Sequence, residues 1–176
     1  MNKFRCLHIK CQRSSIFSTH DWRLVFLYVS VQNEVFDFSK EIEQFSKKLN
    51  NVGALVTFTG VVRGKKSETL DFMFIEHYPG MTENQITSMI NNAVKRWNIN
   101  DALIIHRYGK LEPGEPIMMV ATAAEHRREA FEAAEYLMDY LKSRAPFWKK
   151  EVINGKEKWV DATVDDELAL DRWNKF

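Results

Sequence analysis

One run, residues 127–144, constrains the fold more than any other part of the chain. Read as a helix, it places Phe131, Ala134, Leu137, Met138 and Leu141 on a single face. A stripe of that kind must pack against another apolar layer, because a lone amphipathic helix is marginal in water. Pro146 ends the run, since the residue before a proline avoids the α region. Immediately beyond it, segments 147–153 and 156–162 flank Asn154-Gly155, the strongest short signal for a β-hairpin. A long helix feeding a hairpin requires helices and antiparallel strands in one core.

The remaining segments agree with that requirement. Residues 24–31 (LVFLYVSV) are rich in β-branched and aromatic side chains and predict a strand. Phe38, Ile42, Phe45 and Leu49 form a helical stripe over 38–49, and Asn50, Asn51 and Gly53 punctuate the chain after it. Segment 54–62 predicts a buried strand in which Gly60 marks a bulge or a close backbone approach. Segment 70–78 is another strand. Thr82 and Gln85 make a T-x-x-Q capping pattern that opens a helix to about Trp97. Strands over 102–108 and 117–123 are separated by the turn GKLEPGEP, and the acidic tail from Asp165 predicts a last short helix. The fold class is α+β, in one domain.

Composition bounds the function. At 176 residues the chain suffices for one domain with its own core. The formal charge is only +1, which argues against a general binder of nucleic acid or acidic membranes. The longest apolar run, 24–29, is far short of the roughly 18 residues that span a bilayer. Residues 1–20 carry Lys3, Arg5, Lys10 and Arg13, no acid, and both cysteines, Cys6 and Cys11. Setting those four bases aside leaves 21 basic and 24 acidic residues, so residues 21–176 carry −3 and no cysteine. That body cannot use a cysteine nucleophile or a thiolate metal site. The basic leader has the composition of an organelle transit peptide; a disordered extension, or a start codon placed too far upstream, is the other reading. We expect the extension, with the domain over 21–176, and expect a cytoplasmic protein because no export signal is present. A metal or redox role for Cys6 and Cys11 is a third, weaker reading.

Three cationic groups could carry chemistry. In KSRAPFWKK (142–150), Lys142, Arg144, Lys149 and Lys150 surround the proline and two large aromatics. Lys142 and Lys149 can meet only through a turn, and crowded ammonium groups lower each other's pKa, which suits acid, base or nucleophile roles. The alternative is a solvated basic cap at a helix C-terminus, with Phe147 and Trp148 as core. His126 and Arg127 open the long helix, where free N–H groups favour anions; the alternative is a capped start with surface arginines. Arg63, with Lys65 and Lys66, leaves the Gly60 strand in a basic loop that is by itself a weak signal. His77 and His106 read as structural, and His77, His106 and His126 have no metal-ligand spacing.

The segments VGALVTFTGVVRG (52–64), IEHYPGMTE (75–83), IIHRYGKLEPGE (104–115), AEHRREAFEAAEYLMDYLKSRAPFWKKE (124–151) and KWVDA (158–162) resemble the molybdopterin synthase catalytic (large) subunit family, in its order and spacing. The resemblance implies an α/β hammerhead-type domain with an additional antiparallel β-rich subdomain. It implies a sulfurtransferase that turns cyclic pyranopterin monophosphate into molybdopterin by installing two dithiolene sulfurs. The sulfur would arrive as the C-terminal Gly-Gly thiocarboxylate of a small ubiquitin-like carrier subunit. Two copies of the chain would dimerise within a 2+2 heterotetramer, with no permanently bound cofactor or metal and no nucleic-acid or membrane partner. By the same resemblance Lys142 and Lys149 are the catalytic lysines. Lys142 is expected to exchange protons or bond covalently, and Lys149 to orient and stabilise negative charge. Val61, Val62, Arg63, His126, Arg127, Lys150 and Glu151 are expected to bind substrate together with the lysine pair, part of the pocket coming from the neighbouring protomer. Two positions depart from the pattern. Val61 stands where some members have lysine, leaving only a backbone contact. Thr163 stands where some have arginine, a contact that Lys158 or Lys150 would replace. A non-catalytic module that binds a ubiquitin-like partner or an anionic pterin is the other reading.

Overall fold

The computed structural model describes residues 27–64, 69–160 and 163–175. The leader with Cys6 and Cys11, the start of the first predicted strand, Lys65 and Lys66 of the basic loop, and Asp161-Ala162 lie outside the described residues.

The elements run β1 (Leu27–Gln32), α1 (Phe38–Ser46), β2 (Ala54–Val61), β3 (Leu70–His77), α2 (Met81–Trp97), β4 (Asp101–Arg107), β5 (Gly109–Leu111), β6 (Pro116–Ala124), α3 (Arg127–Ser143), β7 (Phe147–Ile153), β8 (Lys156–Val160) and α4 (Val164–Asp171), before a 3-10 turn at Arg172–Lys175. One sheet has the order β1-β4-β6-β2, in which only the β1–β4 pair is parallel. The other, β5-β3-β7-β8, is antiparallel throughout. The fold is α+β, as the alternation of helical and two-residue periods requires.

β4 explains how the first sheet can be covered on both faces. Its successive side chains alternate: Ala102 and Ile104 join α2 and α3, whereas Leu103 and Ile105 join Phe36 and Phe45 under α1. An unbroken apolar run is the signature of a strand in that position. A third cluster, Val62, Leu70, Met73, Ile75 and Leu111, fills the space under the second sheet. The Thr122 hydroxyl donates to the Ala130 carbonyl at 2.7 Å and ties β6 to α3.

Several local expectations change. The N-cap of α2 is Gly80 (φ 83°), and its N–H is accepted by the Glu83 carboxylate at 2.7 Å, so Thr82 and Gln85 are not the capping pair. Thr82 is instead buried and donates to the Tyr78 carbonyl, while Gln85 reaches the Arg144 carbonyl. The segment predicted as pure turn holds β5, which a three-residue strand is too short to announce by pattern. Phe131 does not join the apolar face of α3. It is 62% exposed, and Ala130, Ala133, Leu137 and Leu141 make the buried stripe. Trp148 is likewise outside the core at 49% exposure. The Gly60 irregularity is present: the β2–β6 register shifts between Gly60 and Val61, and Met118 Cγ lies where a Cβ on Gly60 would press at 3.0 Å. Asn154 (φ 50°) and Gly155 (φ 71°) make the hairpin turn, both in the left-handed region that such turns demand. Among the described residues no helix is long and apolar enough to cross a membrane.

Candidate active site

The last turn of α3 carries Lys142, and Arg144 closes the helix by donating its N–H to the Tyr140 carbonyl at 2.8 Å. Pro146 then forces extended backbone, and β7 begins at once. This reversal brings Lys149 back toward Lys142. Along β7 the side chains alternate, so Phe147, Lys149 and Glu151 share one face and Trp148 and Lys150 the other. Lys142 Nζ donates to Asp166 Oδ1 at 3.2 Å from the side of α4. Burial, and after it the Lys142 charge, lowers the Lys149 pKa below that of an ordinary amine; Asp166 acts against both. The two lysines and Asp166 therefore belong to one electrostatic cluster.

Asp166 is itself held. Thr163 Oγ1 donates to its Oδ2 at 2.7 Å, and the Asp166 N–H donates back to the threonine hydroxyl at 3.2 Å. This reciprocal cap starts α4. Burial alone would raise the Asp166 pKa, but the hydrogen bonds from Thr163 and Lys142 hold it below the usual carboxylate value. Ser143 Oγ donates to the Asp166 carbonyl, and Arg144 makes a two-pronged pair with Glu167 at 2.8 Å on each arm. Thr163, which departs from the expected arginine, thus has a defined task.

Behind Lys149 lies His106, with its ring fully buried and stacked on Phe147 at 3.7 Å. Its Nδ1 lies 2.8 Å from the Arg107 carbonyl, so that nitrogen carries the proton and Nε2 is a bare acceptor. Burial first, then the charge of Lys149, pushes the His106 pKa down to about 3. The His77 ring, from β3, lies 4.5 Å from Tyr108 and 6.3 Å from Phe147. Unfolded His106 takes up a proton near 6.5 but the folded form does not, so stability falls as pH drops from 6.5 toward 3. We expect a loss of roughly 3 kcal/mol between pH 7 and pH 4 from this group. Denaturant midpoints of wild type and His106→Phe at the two pH values measure it. An equal loss in both would show that the buried imidazole is not its source.

The other expected site residues divide. Val62 is buried and donates its N–H to the Glu115 carbonyl at 2.9 Å, while Val61 and Arg63 are exposed at the β2 exit. β2 and β6 run antiparallel with Ala54 opposite Ala124 and Val61 opposite Pro116. α3 runs back from the Ala124 end, so Lys142 and Arg63 lie at the same end of the sheet. His126 and Arg127 lie at the other. Between Arg127 and Lys142 the helix axis rises about 22 Å, at 1.5 Å per residue. One chain alone does not bring the three cationic groups together. His126 is the N-cap of α3 without a side-chain capping bond, and both it and Arg127 are exposed. Lys150 points away from the lysine pair; it meets Glu157 at 2.9 Å and lies 4.7 Å over the Trp159 ring. Lys158 pairs across from Glu151 and so shares the face of Lys149.

A cleft of about 800 Å³ lies beside His126, lined in part by Arg96, Trp97, Glu125, Glu129, Glu132 and Glu135. Its acidic wall suits an anion poorly, and the lysine pair does not line it. Sequence reasoning missed Asp166 and took His106 as merely structural. Thr163-x-x-Asp166 is a readable capping pattern, but nothing in the sequence says that its carboxylate reaches Lys142.

Comparison with known proteins shows what the whole chain is similar to. The family model described as MoaE protein matches residues 31–144. The molybdopterin synthase catalytic subunit of Cereibacter sphaeroides is 59% identical over 145 residues, covering 82% of this chain and 99% of that protein. The molybdopterin biosynthesis MoaE protein from Burkholderia ambifaria superposes with a TM-score of 0.72 at 43% identity, covering 84% of this chain and 98% of that one. A protein–protein complex of subunits 1 and 2 of molybdopterin-converting factor from Helicobacter pylori contains the same fold, with a TM-score of 0.66 at 18% identity over 76% of this chain and 90% of that one.

Proposed function

Because the chain belongs to the MoaE family, we propose that its lysine cluster is the sulfur-transfer centre of a molybdopterin synthase catalytic subunit. The enzyme is a sulfurtransferase of molybdenum cofactor biosynthesis. The observation that carries the site assignment is the meeting of Lys142 and Lys149 across the Pro146 turn, with the Lys149 amine made less basic by burial.

The substrate is cyclic pyranopterin monophosphate, and no cofactor is bound permanently. Sulfur comes from the C-terminal thiocarboxylate of a small ubiquitin-like carrier subunit: a carbon–sulfur bond forms on the pterin side chain as a carbon–oxygen bond there breaks, and water cleaves the acyl–sulfur bond to leave the carrier's carboxylate. Phosphate and thiocarboxylate are both anions, which fits a cationic site in a body of negative net charge. We reverse the roles expected of the lysines. Lys149, the poorer base, exchanges the proton; Lys142, exposed and ion-paired, contacts the anion. Lys158, on the face of Lys149, replaces the arginine that Thr163 displaces; Lys150 does not, because Glu157 and Trp159 occupy it.

His126 and Arg127 reach the site from a second copy of the chain. A homodimer is the simplest way to close a gap of about 22 Å along one helix. With one carrier per copy this gives a 2+2 heterotetramer, which we place in the cytoplasm. Mixing the purified chain with thiocarboxylated carrier and the pterin precursor tests the reading. Dithiolene product should form in step with carrier desulfuration. A chain that binds both partners and yields no product is the non-catalytic module instead.

A further inference from the structure

We propose that Asp166, aimed by Thr163, is a positioning residue that fixes the Lys142 ammonium beside Lys149 and keeps the two amines chemically unequal. The inference rests on the sulfur-transfer reading of the lysine pair and adds to it a residue from α4.

Lys142 ends in a flexible side chain that is 53% exposed. Left alone it would sample many rotamers, and two neighbouring ammonium groups would drive each other apart. One contact prevents this: Asp166 Oδ1 holds Nζ at 3.2 Å. The other carboxylate oxygen is taken by Thr163 Oγ1 at 2.7 Å, so the carboxylate cannot turn away. The Thr163 side chain also accepts the Asp166 N–H, and the Asp166 carbonyl receives Ser143 Oγ. The carboxylate is thereby fixed on one side by its own helix cap and on the other by the end of α3.

The position of α4 is fixed independently. Arg144 grips Glu167 through two 2.8 Å bonds, and Arg172 grips Asp139 at 2.7 Å and Glu135 at 2.9 Å. Asp166 is therefore not needed to dock the helix, which leaves its carboxylate for the lysines. The titratable groups around the cluster are Lys142 and Arg144 from α3, Lys149 and Glu151 from β7, Lys158 from β8, His106 from β4, His77 from β3, and Asp166 and Glu167 from α4. His106 is neutral near neutral pH, and Arg144 with Glu167 cancels as a pair. Glu151 stands across from Lys158, and Asp166 is thus the carboxylate that pairs with Lys142. It pairs directly with Lys142 and acts on Lys149 only through space, so the two amines meet it unequally.

The test compares Asp166→Asn, Thr163→Val and Glu167→Gln, with kcat and KM read from dithiolene formation by the assembled carrier complex. Asp166→Asn keeps a side chain able to accept from Thr163 but removes the charge. We expect kcat to fall by roughly ten- to a hundredfold with KM changed by less than about twofold. Taking away a negative charge lowers the Lys149 pKa further, so the rising limb of the pH profile moves to lower pH. Thr163→Val keeps the charge and loses its aim; kcat should fall several-fold with the limb unmoved. Asp166→Glu should recover part of the loss. Glu167→Gln weakens helix docking alone and should keep near-normal turnover.

Equal losses in Asp166→Asn and Glu167→Gln would reduce Asp166 to a docking contact and overturn the proposal. So would an unmoved pH limb in Asp166→Asn. A second readout needs no turnover: the pH dependence of Lys149 acylation by a small amine-reactive ester, followed on the Lys149 peptide by mass spectrometry. Its midpoint should shift down in Asp166→Asn, and an unchanged midpoint refutes the proposal. A wild-type complex that makes no product but shows the shift would refute sulfur transfer and keep the positioning role.

Discussion

Lys149→Ala lowers dithiolene formation at least about a hundredfold while leaving the fold and carrier binding in place. Lys149 is the amine from which burial and a neighbouring cation withdraw basicity. General acid–base groups of this kind are worth about 10²–10⁴ in rate, and an alanine supplies none of it. The fold survives because the lysine's neighbours in the sheet, Ile75 and Val160, pair through their backbones and do not depend on its amine. Removing a buried ammonium also removes a desolvation cost. Folded Lys149 loses its proton below the ordinary value of 10.5, so as a cation it opposes folding, and stability rises with pH up to that value. The variant should therefore be at least as stable as wild type near neutral pH. Lys149→Arg should not restore turnover, because a guanidinium stays charged at any working pH. The measurements are single-turnover product formation, carrier binding by calorimetry, and a thermal midpoint. Wild-type rates in Lys149→Ala would remove the proposed chemistry; rates below a hundredth of wild type with normal binding would support it.

The second large effect is complementation between two dead proteins. Lys142→Ala and Arg127→Ala each remove a charge that we assign to the site, but from opposite ends of α3. If a site takes Lys142 from one protomer and Arg127 from its partner, each homodimer is inactive at both sites. A mixed dimer regains one intact site, and its second site carries both changes. Random reassortment makes half of the dimers mixed, so about a quarter of wild-type activity should return. Mixing the unfolded variants and refolding them together supplies the reassortment. Activity that stays at the level of either variant alone would mean that each chain builds its site without its neighbour's Arg127.

Particular residues show what could be read from the sequence and what could not. The α3 run, its Pro146 stop and the Asn154-Gly155 turn are local signals, and local sterics decide them whatever surrounds them. Lys142 and Lys149 were legible as a pair because the same proline that separates them forces the return. Phe131 shows the limit of periodicity: it sits on the edge of the apolar stripe, and the packing of α3 against β6 and β2 leaves it outside. Asp166 was hidden for another reason. Its contact with Lys142 spans 24 positions and depends on where α4 lands, which no window of sequence contains. His106 reads as one more member of a buried strand. Only the stacking on Phe147 and the neighbouring amine reveal that its neutral ring lines the floor beneath Lys149.

Neither sheet closes on itself, and this has a consequence for how the chain behaves outside its complex. Among the described residues β2 and β8 are border strands, each with one row of amide and carbonyl groups unclaimed by a neighbouring strand. Leu55, Phe58 and Val61 stand exposed along the first, Trp159 and Val160 along the second. Borders of that sort invite foreign strands; β8 carries Lys156 and Lys158, the kind of residue by which proteins usually discourage them, whereas β2 carries neither lysine nor proline. A cell that makes this chain without companions to cover those borders would hold a protein prone to stick to itself. Balanced synthesis with the proposed carrier subunit would then protect the chain from aggregation.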